Sequence, residues 1–184
     1  MESFADAQTW RAWLARNHAT QAGVWVKMAK KGTGIASIDY AGALEHALCY
    51  GWIDGQSKGI DESWWMQKFT PRGKRSIWSK INREKVLALI ESGAMQPAGL
   101  AEIERAQQDG RWDQAYDSPK NATVPEDLAA ALAGKPKAAK FFTTLDATNR
   151  YAILHRIQTA KKPETRAKRI AEFVTMLAEG RKIH

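Results

Sequence analysis

The spacing of apolar positions changes period several times along the first third of the chain. Ser3 is placed to cap a first helix running to about Asn17, with Phe4, Trp10, Trp13 and Leu14 on its apolar side. Gly23 then releases the chain into VWVKMAK, where alternation from Val24 to Met28 predicts a short strand. KGTG at 31–34 reads as a turn. Asp39 is suited to cap a second helix, in which Tyr40, Leu44, Ala47 and Leu48 recur at helical spacing, and Gly51 supplies the left-handed position after it.

Two β-favouring runs, 52–58 and 63–69, surround Gly59-Ile60-Asp61 and predict a hairpin, closed by Pro71 and Gly73. Asn82 reads as the cap of the next helix, with Ile81 and Val86 spaced as a hydrophobic staple. Gly93 ends that helix, Pro97 opens another, and Gly110 ends it. From about residue 119 the pattern is helical only. Pro125, Pro136 and Pro163 mark starts, Gly134 and Gly180 mark ends, and Asp146 can cap a helix. Ile170, Phe173, Val174 and Leu177 share a face of the last helix. The expected fold class is α+β: a small antiparallel β-sheet packed with helices, followed by a helical C-terminal part. The expected division is 1–118, an α+β domain with a Trp-rich hairpin, and 119–184, a basic helical region, joined near SPKNAT (118–123).

Composition sharpens this picture in two places. The chain of 184 residues has eight Trp, all at or before Trp112, and a single cysteine, Cys49, which excludes an intramolecular disulfide and a cysteine-built zinc cage. The net charge of +8 is unevenly spread. Residues 135–184 hold twelve Lys/Arg against four Asp/Glu, 68–85 hold seven against one, and 86–134 hold three against eight. The basic blocks can steer an anionic partner or face the acidic block within the fold. The N-terminus lacks the basic-then-apolar pattern of a secretory signal, and no apolar run reaches the ~18 residues of a membrane span. A cytoplasmic location is expected.

Chemistry-bearing constellations are sparse. His46 and Cys49 can share a helix face, but no third group orients them and the thiol has apolar neighbours, so a buried structural cysteine is the expectation. Asp54, Asp61 and Glu62 lie on or beside the hairpin, where turn chemistry accounts for acids. The four His have no metal-ligand spacing, and no phosphate loop or Ser-x-x-Lys pattern is present. No catalytic residue, metal or cofactor is expected. Trp64 and Trp65 must point to opposite faces of a strand, so one indole near Trp52 and Trp78 could stack on a base, sugar or ligand ring. At least two of these four Trp are expected in the core. Two basic clusters follow, Arg72-Lys74-Arg75 and Lys80-Arg83-Lys85, suited to carboxylate or phosphate.

Long stretches carry a resemblance: Ser37-Ile38-Asp39-Tyr40 with ALEHALCYGWIDG, then FTPRGKRSIWSKINREKV, then ESGAMQPAGLAEIERAQQDGRW to AY, and AKKPETRAKRI. In these the chain resembles the YdeI/OmpD-associated (OmdA) family of bacterial proteins. The resemblance implies a role associated with bacteriocin protection and tolerance of antimicrobial stress. It implies no catalytic residue. It marks Trp52, Asp54, Arg72, Arg75, Trp78, Ser79, Asn82, Arg111, Trp112, Arg166 and Arg169 as motif residues for ligand or partner binding. The leading expectation is a non-enzymatic module that binds an anionic or aromatic ligand, or an acidic protein surface, through the hairpin and residues 71–85. One alternative is a small-molecule enzyme with a pocket between hairpin and helix, using Asp54, Arg72 and Ser79. The other is a nucleic-acid-binding protein using the basic C-terminal helices around Lys161, Lys162, Arg166, Lys168 and Arg169.

Overall fold

Asp6, and not Ser3, caps the first helix. Ser3 belongs to a two-residue strand, β1 (Glu2–Ser3), and α1 (Ala7–Asn17) begins after Asp6, whose carboxylate accepts from the Thr9 backbone N–H at 2.8 Å while Thr9 Oγ1 completes a capping box. A carboxylate satisfies the free amides of a first turn and also suits the positive end of the helix dipole. The chain continues through β2 (Val24–Ala29), α2 (Tyr40–Cys49), β3 (Trp52–Gly59), β4 (Trp64–Pro71), α3 (Lys80–Glu91) and α4 (Pro97–Gln108). Four further helices follow: α5 (Glu126–Ala133), α6 (Pro136–Thr143), α7 (Ala147–Gln158) and α8 (Pro163–Ala178). The computed structural model describes residues 1–184. The fold is α+β, as the sequence pattern implies.

The chain divides into two compact units, one of residues 1–77 with 82–113 and one of residues 78–81 with 114–184. The first holds a four-stranded sheet in the order β1-β2-β4-β3. β2, β4 and β3 pair antiparallel, but β1 runs parallel to β2, so the sheet is mixed. A two-residue strand has no period to read, which hides β1 from the sequence pattern.

One face of this sheet is sealed. Val24, Val26 and Met28 from β2, Phe69 from β4 and Trp52 from β3 are buried beneath α1 and α2. Trp10 lies 5.6 Å from the Phe69 ring and donates its indole N–H to the Ala43 carbonyl at 3.0 Å, tying α1 to sheet and α2 together. Trp13 meets Trp52 edge-on at 5.9 Å, and the Trp52 N–H reaches the His18 carbonyl at 3.1 Å. Such tilted pairs contribute about 0.5–1.5 kcal/mol each beyond their buried area. Asp39 caps α2 by accepting from Gly42 N–H at 2.8 Å, and Gly51 follows with φ +73°.

β3 carries an irregularity that decides what the other face displays. Asp54 pairs with Phe69, yet Ser57 pairs with Gln67, so three steps on β3 match two on β4. An extra residue reverses the alternation beyond it. Lys58, and not Ser57, therefore comes to lie opposite Met66 on the face away from α1 and α2. Gln67, 4% exposed, holds the irregularity by donating from Nε2 to the carbonyls of Gly55 at 2.9 Å, Gln56 at 3.1 Å and Lys68 at 3.2 Å.

The second unit is built around Leu128, Phe142, Ile153, Ile157, Val174 and Leu177, contributed by α5 to α8. Residues 78–81 join it by a strand-like bridge, in which Ser79 pairs with Tyr116, Tyr116 N–H donates to Trp78 O, and Lys80 N–H donates to Tyr116 O at 2.9 Å. That bridge satisfies a first-turn amide of α3, so the helix starts at Lys80 and Asn82 lies inside it instead of capping it. Asp146 caps α7 as the sequence indicates, accepting from Asn149 N–H at 2.8 Å, and Pro136 and Pro163 open α6 and α8. Gly134 differs from a left-handed terminator, because its φ is −71°.

Candidate functional site

On the face of the sheet away from α1 and α2, no residue is fully buried. Alternation along β2 puts Trp25 and Lys27 there, and the antiparallel register sets Lys68 opposite Trp25, Met66 opposite Lys27 and Trp64 opposite Ala29. Trp25 and Trp64 are half-buried. Lysine ammonium groups sit on both indoles: Lys27 Nζ is 4.0 Å from the Trp64 centroid, and Lys58 and Lys68 Nζ lie 5.2 and 5.9 Å from Trp25. No Asp or Glu occupies an outward position of β2 or β4. Of the acids of the hairpin, Asp61 and Glu62 lie at its turn, where Asp61 accepts from the Ser63 and Trp64 amides, both at 2.8 Å, and shapes the bend, and Asp54 lies on β3 opposite Phe69, on the sealed side. A concavity of about 520 Å³ borders this face, with Trp25 and Lys68 on its wall beside Trp13, Asn17, Gln21 and Glu2.

The residues marked by the sequence motifs fall elsewhere. Trp52 and Trp78 are buried, at 1% and 2% exposure, whereas Trp64 and Trp65 are half-buried on opposite faces. Asp54 accepts from the Tyr40 hydroxyl at 2.8 Å. Arg72 is buried, its backbone N–H donates to Gly51 O, and its Nη1 donates to Ser76 Oγ and Ile77 O at 3.4 and 3.3 Å. Arg111, also buried, clamps the same loop by donating to Ser76 O at 2.6 Å while its Nε bonds Asp109 at 2.8 Å. Arg83 donates to the carbonyl of buried Trp112 at 2.8 Å and stacks on its ring. Arg75 is exposed in the intervening loop, and Ser79 and Asn82 are half-buried. Arg166 is paired with Asp127, and Arg169 donates to Arg156 O. Arg105 of α4, donating to the carbonyls of Arg72 and Gly73, and Arg111 thus hold 71–77 against α4 and its exit, with the FTPRGKRSIWSKINREKV motif supplying the acceptors.

Other groups that could carry chemistry are held in unreactive states. The Cys49 thiol is 1% exposed, and burial pushes its pKa up to about 11. Burial, aided by the Arg11 charge, lowers the pKa of His46. Burial also lowers that of His155, with Arg156 and Arg169 adding to the effect. No group of three or more His, Cys, Asp or Glu converges as a metal site. A smaller cavity of about 210 Å³ in the second unit is lined by Asp117, Gln158 and Arg166 among others. Its polar groups bond one another: Gln158 Nε2 donates to Asp117 Oδ2 at 2.6 Å, and Lys80 pairs with Asp117 Oδ1 at 2.8 Å.

Trp25, Lys27, Lys58 and Lys68 were absent from the motif residues. The signal for the first two was present in VWVKM, where a strand with Val24, Val26 and Met28 inward must turn Trp25 and Lys27 outward together. Lys58 had no such signal, since its orientation depends on the extra residue in β3.

No curated protein and no solved structure matches the chain. No helix is long and apolar enough to cross a membrane. Two family models match in tandem. The first, a domain of unknown function (DUF8412), covers residues 2–102 and with them the sheet and its Trp–Lys face. The second, described as bacteriocin-protection, YdeI or OmpD-associated (OmdA), covers residues 121–180, where the AKKPETRAKRI stretch lies. The chain therefore belongs to the DUF8412 family, and its helical C-terminal region matches the model of the YdeI/OmpD-associated family, OmdA.

Proposed function

We propose that the protein is a non-enzymatic binding module whose exposed sheet face takes an anionic ligand carrying a planar ring. The observation that carries this reading is the arrangement of Trp25 and Trp64 beneath Lys27, Lys58 and Lys68, with no carboxylate on the outward positions of β2 and β4. An exposed ammonium on an indole is worth about 0.5–1 kcal/mol. A base stacked on an aromatic ring is worth about 1–3 kcal/mol. A planar ring therefore displaces the lysine from the indole, and the released ammonium pairs with the ligand's negative charge. The same argument supports a role in which the ligand is a signal or cargo and not a substrate, because the outward positions of β2 and β4 carry no carboxylate, thiol or imidazole to stand beside the lysines.

Titration with thymidylate, followed by tryptophan fluorescence, tests the reading. Quenching that saturates, and that weakens at least tenfold in Lys27→Gln/Lys68→Gln, is the expected result. These two substitutions sit on a half-exposed face and leave the core untouched. Absence of saturable quenching at low salt overturns the reading, as does quenching that the double variant leaves unchanged.

A further inference from the structure

We infer that the ligand of this face is a single-stranded nucleic acid; the inference rests on the reading above and extends it from one ring to a chain of them. Trp64 lies opposite Ala29, four residues along β2 from Trp25, and on the adjacent strand. Strand geometry then separates the two tryptophan backbone positions by about 14 Å, and the two rings make no stacking contact. One nucleotide covers one indole only. A strand running diagonally across β2 and β4 reaches both, with its backbone passing over the lysines between and beside them. Lys68 lies opposite Trp25, Lys27 lies in the row between the two indoles, and the β3 irregularity adds Lys58 to that same row, across Met66.

The chemistry separates a single strand from a duplex. Indole faces read the planes of bases, and in a duplex those planes are stacked on one another and shut off from a flat protein surface. A sheet with aromatic residues on its open face and cations around them is the arrangement by which sheet-based modules take unpaired bases. Charge complementarity adds the phosphate backbone. Three lysines neutralising three phosphates give a log–log dependence of affinity on salt with a slope of about −2 for a single strand. The face offers no side chains at fixed depth to read base edges, so binding is expected to be tolerant of sequence.

The test compares thymidylate, oligothymidylate of about eight nucleotides, and a mixed-sequence duplex, each by fluorescence quenching and anisotropy at two salt concentrations. The oligonucleotide is expected to bind at least a hundredfold tighter than the mononucleotide, because engagement of a second indole is intramolecular once the first is stacked. It is also expected to bind tighter than the duplex. Trp25→Leu and Trp64→Leu should each remove most of that advantage, and Lys58→Gln should lower the salt slope by about 0.7. Circular dichroism and thermal melting of each variant establish that it is folded, and Lys58→Gln, on an exposed residue, is the variant least exposed to misfolding.

Equal affinity for mononucleotide and oligonucleotide overturns the strand inference and leaves the single-ring reading standing. Quenching by neither overturns both. Oligonucleotide binding that ignores the Trp25, Trp64 and Lys58 variants overturns the inference by placing the strand on another surface, for which the basic C-terminal helices are the comparison. Equal or tighter binding of the duplex overturns it as well, since stacking would then contribute nothing.

Discussion

The side-chain amide of Gln67 donates to the backbone carbonyl of Gly55 at 2.9 Å, from the sealed face of one strand to the extra residue of its neighbour. The same nitrogen reaches Gln56 O and Lys68 O, so one buried group fixes the place where β3 changes alternation. Everything on β3 beyond that point, Lys58 included, takes its orientation from this bond set.

Gln67→Leu keeps the size of the side chain and removes its donors. Three carbonyls then lose a partner in a region where Gln67 is 4% exposed. The expected cost is about 1–3 kcal/mol, the range for stranding buried polar groups. Urea unfolding measures it, and amide exchange at Gln56, Ser57 and Lys58 should accelerate more than exchange in β2. Uniform acceleration across the sheet would mean that the irregularity is held by something other than Gln67.

Arg72 and Ser76 give a second expectation. The guanidinium of Arg72 bonds Ser76 Oγ and Ile77 O, and Arg111 bonds Ser76 O, so the loop after β4 is closed by two buried cations. Glu102 lies near Arg105, Arg72 and Arg111, which counter the rise in its pKa that burial causes. Arg72→Ala removes one of these charges and the bonds it makes, at an expected loss of about 2–3 kcal/mol for charged hydrogen bonds in a buried setting. Arg75→Ala, in the exposed part of the same loop, should cost less than ~0.5 kcal/mol. Thermal melts of the two variants side by side decide the matter: equal and small shifts would return Arg72 to the candidates for ligand contact.

These two residues also show how far the sequence could be read. The hairpin, the inward Val24, Val26 and Met28, and the Asp39 and Asp146 caps follow from local chemistry, because period and capping residues act over a few positions. Arg72 could be recognised as a motif residue from the sequence, but not as a buried one. Its acceptors are two backbone groups and a hydroxyl, and carbonyls leave no trace in composition. Asn82 misled for a related reason, since the bridge between Ser79 and Tyr116 spans 37 positions and supplies the amide partner that a local cap would. The Trp–Lys face was half-legible: Trp25 and Lys27 by alternation, Lys58 only through the tertiary bond of Gln67.

The pairing of Arg166 with Asp127 makes stability depend on acid. Nε and Nη2 meet the two carboxylate oxygens at 2.6 and 2.9 Å, and Nη1 bonds Ile157 O at 3.0 Å, so α8 is pinned to α5 and to the end of α7. The hydrogen bond from Arg166 holds the Asp127 pKa below its ordinary value, with the guanidinium charge adding to it. A depressed carboxylate contributes stability in full above its unfolded pKa of ~3.9 and loses it as pH falls through the folded value. Both groups are partly exposed, so the ion pair is worth about 1 kcal/mol at most. Arg166→Ala should therefore be less stable than the parent by ~1–2 kcal/mol at pH 7, the bond to Ile157 included. The gap should narrow below about pH 3.5, beneath the ordinary aspartate range. A gap that stays constant from pH 7 into the acid limb would assign the whole effect to the Ile157 bond.

The remaining expectation concerns Cys49 at the alkaline end. The thiol is 1% exposed at the last position of α2, and burial raises its pKa from the usual thiol range to about 11, an effect that the nearby Arg11 charge only partly offsets. Two consequences follow from that one shift. In the native protein the thiolate is scarce at pH 8, so a disulfide reagent such as dithionitrobenzoate should react only through opening of the fold, at least a hundredfold slower than with the urea-unfolded chain. A pKa raised by folding also means that the unfolded chain releases its proton first. Stability from this group is complete below the unfolded thiol pKa of ~8.5 and is lost as pH rises through the folded value of about 11. Cys49→Ala removes that alkaline dependence while leaving a small cavity, so the variant should be less stable than the parent at pH 7 and should close the gap by pH 10. Prompt labelling of the native thiol at pH 8 would show that α2 opens readily at its C-terminal end. A stability gap independent of pH would show that the thiol titrates alike in both states.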